Sequence, residues 1–151
     1  MTSISVSLPL DADGFLRREC PHCGQEFKWH HGKTDEAPED YVYPEVHWCP
    51  RCGKSATLNQ WWTPAQLEYT RGAAIGPALD QLGQELKAAV RGSKFLKIEL
   101  SNERPEVPDP LVELDDMMMI APPCHPWEPV KVPEDSASPH YCLLCGEPYV
   151  V

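Results

Sequence analysis

The sequence predicts a small α+β protein in which two short β units are joined by a helical segment. Three observations predict this fold class. Two Cys-Pro-x-Cys-Gly turns lie within the first 53 residues, and one more Cys-x-x-Cys-Gly turn lies near the carboxyl terminus. Between them, apolar residues recur at steps of three and four, which is the period of a helix face. The expected organisation is therefore 1–62, 63–100 and 101–151.

Composition limits what this fold can be. A chain of 151 residues is long enough for one ordinary domain or for two or three metal-stapled pieces, and 17 prolines predict many loops. No stretch approaches the roughly 20 apolar residues of a membrane span, and the amino terminus lacks the pattern of a signal peptide. A cytoplasmic protein with no membrane contact is expected. Its seven cysteines then indicate metal ligands, since the cytosol keeps thiols reduced.

The first β unit is predicted to carry two cysteine turns on short strands. Residues 15–19 and 25–31 have the pattern of strands around the turn CPHCG, and 45–48 leads into the turn CPRCG. The stretch 32–44 between them is acidic, contains proline and has no clear periodicity. It is expected to be an exposed loop.

Cys20, Cys23, Cys49 and Cys52 form the first predicted metal site. A Cys-x-x-Cys turn directs both sulfurs at one point, and the following glycine permits the positive φ that turns backbone N–H groups toward the thiolates. Two such turns complete a tetrahedron. The residues CPHCG and CPRCG resemble the paired knuckles of the zinc-ribbon family. The resemblance covers about residues 15–56 and implies a ribbon fold with one structural zinc, but no activity.

Two other interpretations of these cysteines stay open. CPHC on its own also matches the redox turn of thioredoxin-like disulfide oxidases, but that turn needs a βαβ context, whereas here it lies between predicted strands. An iron site of the rubredoxin type uses similar turns, so spacing alone does not separate iron from zinc.

The middle segment is predicted to be a helical hairpin or a kinked helix over 63–92. Thr63 can cap the start of the helix, and Pro64 suits its first turn. Apolar residues then form a continuous stripe, and the Gly76-Pro77 pair should kink or split the helix.

The segments after the helix are predicted from their patterning. Residues 94–100 alternate as a strand does, and 101–110 reads as an acidic, proline-rich linker. Further strands are expected at 116–121 and 128–132. Together with the last cysteine turn, they form the second, zinc-ribbon-like unit.

This second unit is predicted to hold a second structural zinc. The turn CLLCG supplies Cys142 and Cys145, and Cys124 is the one cysteine left. A fourth ligand is needed, and either His125 or His140 can complete a Cys3His tetrahedron. His125 is the preferred ligand, although it directly follows Cys124. The alternative is a half-site that binds no metal.

Catalytic motifs are missing from the sequence. It has no HExxH, no phosphate-binding glycine loop and no Gly-x-Ser-x-Gly, and the spacing after His125 does not fit a zinc deaminase. Most of the net charge of −10 lies in residues 99–151, which hold 11 acidic and 2 basic side chains. A non-enzymatic, acidic protein-interaction or regulatory module is therefore expected, an adaptor that serves as the small protein partner in a bacterial complex.

Nucleic-acid binding is the alternative function. Arg17, Arg18 and Lys28 in the first unit alternate with Phe27 and Trp29, a combination that can neutralise phosphates and stack on bases. The negative net charge disfavours this function, because affinity for nucleic acid comes mainly from Lys and Arg.

Overall fold

The computed structural model describes residues 7–89 and 109–151. The chain divides into two compact units, of which one comprises Met1–Leu8 with Pro64–Leu111 and the other Pro9–Thr63 with Val112–Val151. We call them the helical unit and the β unit. The β unit is therefore built from two stretches that are far apart in the sequence.

The described residues form eight short strands and one helix. In chain order they are β1 Phe15–Glu19, β2 Glu26–His30, β3 Val46–Trp48, β4 Ser55–Thr57, α1 Pro64–Ala89, β5 Met118–Ile120, β6 Val130–Val132, β7 His140–Tyr141 and β8 Pro148–Tyr149. Strands β1, β2, β6 and β5 make one antiparallel sheet in that order, while β3–β4 and β7–β8 are separate hairpins. The predicted small α+β fold class is confirmed.

The four-stranded sheet, which we call the central sheet, joins the two predicted metal-binding segments. Strand β2 pairs with β6 so that Lys28 lies opposite Lys131 and Trp29 opposite Val130. The sequence assigns these strands to 1–62 and 101–151, but in the structure they belong to one sheet. A two-stranded hairpin is marginal alone in water, and pairing the edge of β2 with β6 gives both hairpins a shared apolar face.

The two faces of this sheet differ in chemistry. Period-2 alternation puts Phe27, Trp29 and Val130 on one face, and they join the buried core together with Trp61. The opposite face carries Arg17, Lys28 and Lys131, while Arg18 of β1 lies on the apolar face. The hydrophobic core therefore lies on one side of the sheet, and the ion pairs lie on the other.

The CPRCG and CLLCG turns pack on each other with equivalent contacts. The Trp48 N–H donates to the Leu143 carbonyl at 2.9 Å, and the Tyr141 N–H donates to the Pro50 carbonyl at 3.0 Å. In each case the residue before the first cysteine bonds to the residue after the first cysteine of the other turn. The pair is thus locally two-fold symmetric.

In the described part of the helical unit there is one continuous helix, Pro64–Ala89, with Pro77 inside it. It is a single helix and not the hairpin that was one of the two predicted forms. The predicted strand at 94–100, the end of the helix at 90–92 and most of the predicted linker lie outside the described residues. Within the described chain, no helix combines the length and apolar character needed to cross a membrane.

Candidate metal centres

The sulfur atoms of Cys20, Cys23, Cys49 and Cys52 lie within 4.8 Å of one another. Cys20 Sγ is 3.7 Å from Cys52 Sγ, and Cys23 Sγ is 3.8 Å from Cys49 Sγ. A tetrahedron with metal–sulfur bonds of about 2.3 Å has edges of about 3.8 Å. A disulfide would need about 2.05 Å. The spacing therefore fits four thiolates around one ion.

Each cysteine turn is shaped by backbone hydrogen bonds and a glycine. The N–H groups of His22 and Cys23 donate to Cys20 Sγ at 3.3 and 3.4 Å, and the Gly24 N–H closes the turn on the Cys20 carbonyl. Gly24 has a φ of 70°, a value that L-residues rarely adopt. The CPRCG turn repeats the arrangement, with Gly53 at a φ of 75°. The sequence CPxCG thus positions both sulfurs locally.

The second cluster consists of Cys124, His125, Cys142 and Cys145, whose ligand atoms also lie within 4.8 Å of one another. Cys124 Sγ is 3.5 Å from Cys145 Sγ, and Cys142 Sγ is 3.4 Å from His125 Nδ1. His140 is not in the cluster. It is buried near Tyr149, and neither of its ring nitrogens has a hydrogen-bond partner. Of the two candidate histidines, the fold brings His125 to the cysteines.

Two aromatic residues surround His125. The rings of Tyr41 and Trp127 pack against its imidazole edge-on, with centroids 5.8 and 5.2 Å away. Tyr41 belongs to the stretch 32–44, which the sequence predicted to be only an exposed loop. A hydrogen bond also links this stretch to Trp127, because the Thr34 Oγ1 donates to the Trp127 carbonyl at 2.5 Å. The tyrosines in this acidic stretch are the sequence feature that could have indicated its packing on the second cluster.

Burial and backbone donors act against each other on the thiols. Burial raises the pKa of Cys142 to about 12 and also raises that of Cys49 and Cys124. At Cys20, burial also favours the thiol, but the N–H groups of Cys23 and His22 outweigh it and lower the pKa. A metal ion that binds here displaces protons from the raised thiols, so metal affinity and thiol protonation are linked.

The residues of the predicted nucleic-acid face lie elsewhere than expected. Lys28 is fully buried, donates to Asp11 Oδ2 at 3.3 Å and also hydrogen-bonds the Leu114 carbonyl. Arg17 pairs with Glu113 at 3.1 Å and with Asp116 at 2.6 Å. Apart from Asp11, these partners come from 112–116, a stretch that the sequence analysis left without contacts to the first unit.

Arg18 is also turned inward, onto the apolar face of the sheet. Its guanidinium carbon lies 4.8 Å from the Trp29 ring centroid and 5.0 Å from that of Trp62. Burial lowers the pKa of Arg18 to about 10, which leaves it charged at neutral pH. Arg17, Arg18 and Lys28 therefore do not form an exposed basic face, because carboxylates and tryptophan rings of the same chain already surround them.

The two clusters are the chemically distinctive feature of the β unit. Each one gathers four ligand atoms from stretches that are distant in the sequence, and Cys20, Cys49 and Cys142 are buried with the core. Four protein ligands fill a tetrahedral ion and leave no position for water or substrate. The chain as a whole matches no protein-family model, no curated protein and no solved structure.

Proposed function

We propose that this chain is a non-enzymatic protein-interaction module whose β unit is held together by two structural zinc ions. The observation that carries the proposal is the pair of complete four-ligand clusters. Thiolate and imidazole ligands in a tetrahedral arrangement suit zinc, which has no preferred geometry of its own. The imidazole in the second cluster favours zinc over an iron site of the all-thiolate kind.

The ligand sets support a structural and not a catalytic metal. Catalytic zinc keeps one position for water or substrate, whereas both clusters here offer four protein ligands. Three of the ligating cysteines are also almost completely buried. Since a structural zinc contributes folding energy directly, the ions would stabilise a unit with short strands and few core residues.

Interaction with another protein is the role that remains for such a unit. The sequence has no catalytic motif, and its net charge of −10 opposes phosphate backbones. Nucleic-acid binding is the weaker alternative, because Arg17, Arg18 and Lys28 are engaged within the β unit. An acidic surface is suited to a partner with basic side chains.

Metal analysis tests the first half of this proposal. The purified protein should contain two equivalents of zinc, Cys49→Ser should lose the ion of the first site, and Cys142→Ser that of the second. Finding iron in place of zinc would overturn the proposal. So would a purified protein that contains no metal and whose melting temperature does not change when a chelator is added.

Affinity capture from the native host tests the second half. A tagged, zinc-loaded chain should enrich the same protein repeatedly, and the Cys142→Ser variant should not. Fluorescence anisotropy with labelled single-stranded DNA and RNA at low salt should show no binding. Salt-dependent binding that is lost in Arg17→Ala would instead establish the nucleic-acid alternative.

A further inference from the structure

A cavity of about 280 Å³ opens beside the central sheet in the β unit. Four aromatic or imidazole rings, one aliphatic side chain, one lysine and one carboxylate line it, and the residues are Trp29, His30, Gly32, Lys33, Tyr43, His47, Leu58 and Glu128. Ligand pockets usually measure roughly 300 to 1,000 Å³, so this one lies at the small end. Its size suits a single side chain better than a nucleotide or a large cofactor.

Glu128 places a carboxylate in this largely apolar wall. It lies just before β6, in a turn that its N–H closes by donating to the His125 carbonyl, and is only 4% exposed. Its Oε2 accepts a hydrogen bond from the Tyr43 hydroxyl at 3.3 Å. Among residues 7–89 and 109–151, no lysine, arginine or histidine forms an ion pair with it. Burial outweighs the Tyr43 hydrogen bond and the nearby charge of His30, and raises the pKa of Glu128. Since a buried carboxylate is costly unless it is paired, an ammonium group that forms an ion pair would stabilise it.

The aromatic walls favour the same kind of partner. Trp29 and Tyr43 both line the cavity, and ring faces attract ammonium groups. Lys33 already illustrates this attraction, because its Nζ lies 5.6 Å from the centroid of the Tyr43 ring. Anionic ligands are disfavoured by the charge of Glu128.

A metal ion is not the missing partner. His30 and His47 line the cavity together with Glu128, but in the described part of the chain only the two cysteine clusters bring three or more ligand atoms within 4.8 Å. The cavity thus combines one buried carboxylate with aromatic rings, a leucine and the exposed Lys33. This chemistry matches an organic cation on an alkyl stem.

We propose that the cavity binds the side chain of a lysine from a partner protein. Glu128 pairs with the ammonium group, and Trp29, Tyr43 and Leu58 contact the methylene stem. This inference rests on the proposed interaction function and names the chemistry of the partner, a protein that presents a lysine. The net charge of −10 attracts such a basic partner from a distance.

NMR titration of the zinc-loaded protein with N-acetyl-lysine methylamide tests the proposal. We expect saturable shifts of the Trp29 indole N–H and the Gly32 amide. N-acetyl-norleucine methylamide, which has the stem without the charge, should cause none. Equal binding of the norleucine probe would refute the role of the ammonium. Binding of the corresponding arginine or trimethyl-lysine probe in place of lysine would refute the assignment to lysine.

Two variants and a matched control separate binding from folding. Glu128→Gln should weaken binding of the lysine probe by about tenfold or more, because the bond to a charged group is lost. Tyr43→Leu should weaken it too, while Glu134→Gln, at an exposed glutamate, should leave it unchanged. Each variant should retain two zinc ions. Unchanged affinity in Glu128→Gln would overturn the proposal.

Failure of the lysine pocket can be distinguished from failure of the proposed interaction function. If the host partner is captured equally by wild type and Glu128→Gln, the lysine pocket is refuted and the adaptor role stands. If the lysine probe binds as expected but no specific host protein is captured, the pocket stands and the adaptor role is refuted.

Discussion

Lys28 and Lys131 face each other across the pairing of β2 and β6, and both donate to the same atom, Oδ2 of Asp11. The distances are 3.3 and 2.9 Å. Two adjacent ammonium groups would repel, so both need carboxylates to be buried. Asp11 is the one they share, while Glu113 and Asp116 also pair with Lys28 and Asp13 with Lys131. A register slip by one residue would move the lysines to the apolar face. Asp11 therefore helps to fix how the two halves of the β unit pair.

Asp11→Asn should destabilise the protein by about 3 kcal/mol, because it leaves two buried ammonium groups without their common carboxylate. Urea unfolding of the zinc-loaded protein measures the effect. Asp35→Asn, at an exposed aspartate, is the control and should change stability little. A loss below about 1 kcal/mol in Asp11→Asn would contradict the role assigned to the network.

Tyr43 should titrate well above the ordinary tyrosine range. Burial, followed by the negative charge of Glu128 and the hydrogen bond to it, raises the pKa of Tyr43 to about 12. A raised folded-state pKa means that this contribution to stability is present below about pH 10 and is lost as the pH rises toward 12. The difference spectrum of tyrosinate between wild type and Tyr43→Phe measures it. Glu128→Gln should lower the pKa, and titration of Tyr43 near pH 10 in wild type would contradict the cause.

Gly146→Ala should destabilise more than Gly24→Ala. Both glycines have positive φ, 75° and 70°, so both substitutions carry a backbone cost of about 1–2 kcal/mol. A Cβ at Gly146 would also lie 2.5 Å from Cδ1 of Trp48, whereas one at Gly24 would meet nothing within 4 Å. The clash adds about 1–3 kcal/mol. Urea unfolding compares the two, and equal losses would contradict the packing of the two turns.

The two candidate histidines should respond differently to substitution. His125→Gln should release the second zinc to a chelator that leaves both ions in wild type, because one of the four ligands is gone. His140→Gln should retain both ions, even if it changes stability. A chromogenic zinc assay counts the released metal. Release from His140→Gln alone would reverse the assignment of the ligand.

Local patterns carried most of what could be predicted. The cysteine turns are defined by five consecutive residues, so the grouping of Cys20 with Cys23 and of Cys49 with Cys52 is readable from spacing. The hairpin of β1 and β2 is equally local, and the predicted strand 15–19 coincides with β1. Where residues close in the sequence are also close in space, the sequence pattern is sufficient to predict the local structure.

Long-range pairing was not readable in the same way. The alternation in β2 places the Lys28 side chain on the face of the sheet away from Phe27 and Trp29. Such a position normally faces water. Only the approach of Asp11, Glu113 and Asp116 makes it a buried site. Nothing local to Lys28 announces those carboxylates, two of which come from more than 80 positions away.

The discontinuity of the β unit has a consequence during synthesis. A ribosome delivers Cys52 long before Val130, so the first metal site can close while the strand that pairs with β2 does not yet exist. Until β6 emerges, β2 presents an open edge with its hydrogen-bonding groups unpaired, and such edges recruit other strands. Chains that stop before residue 130 should therefore be metal-loaded yet prone to aggregate.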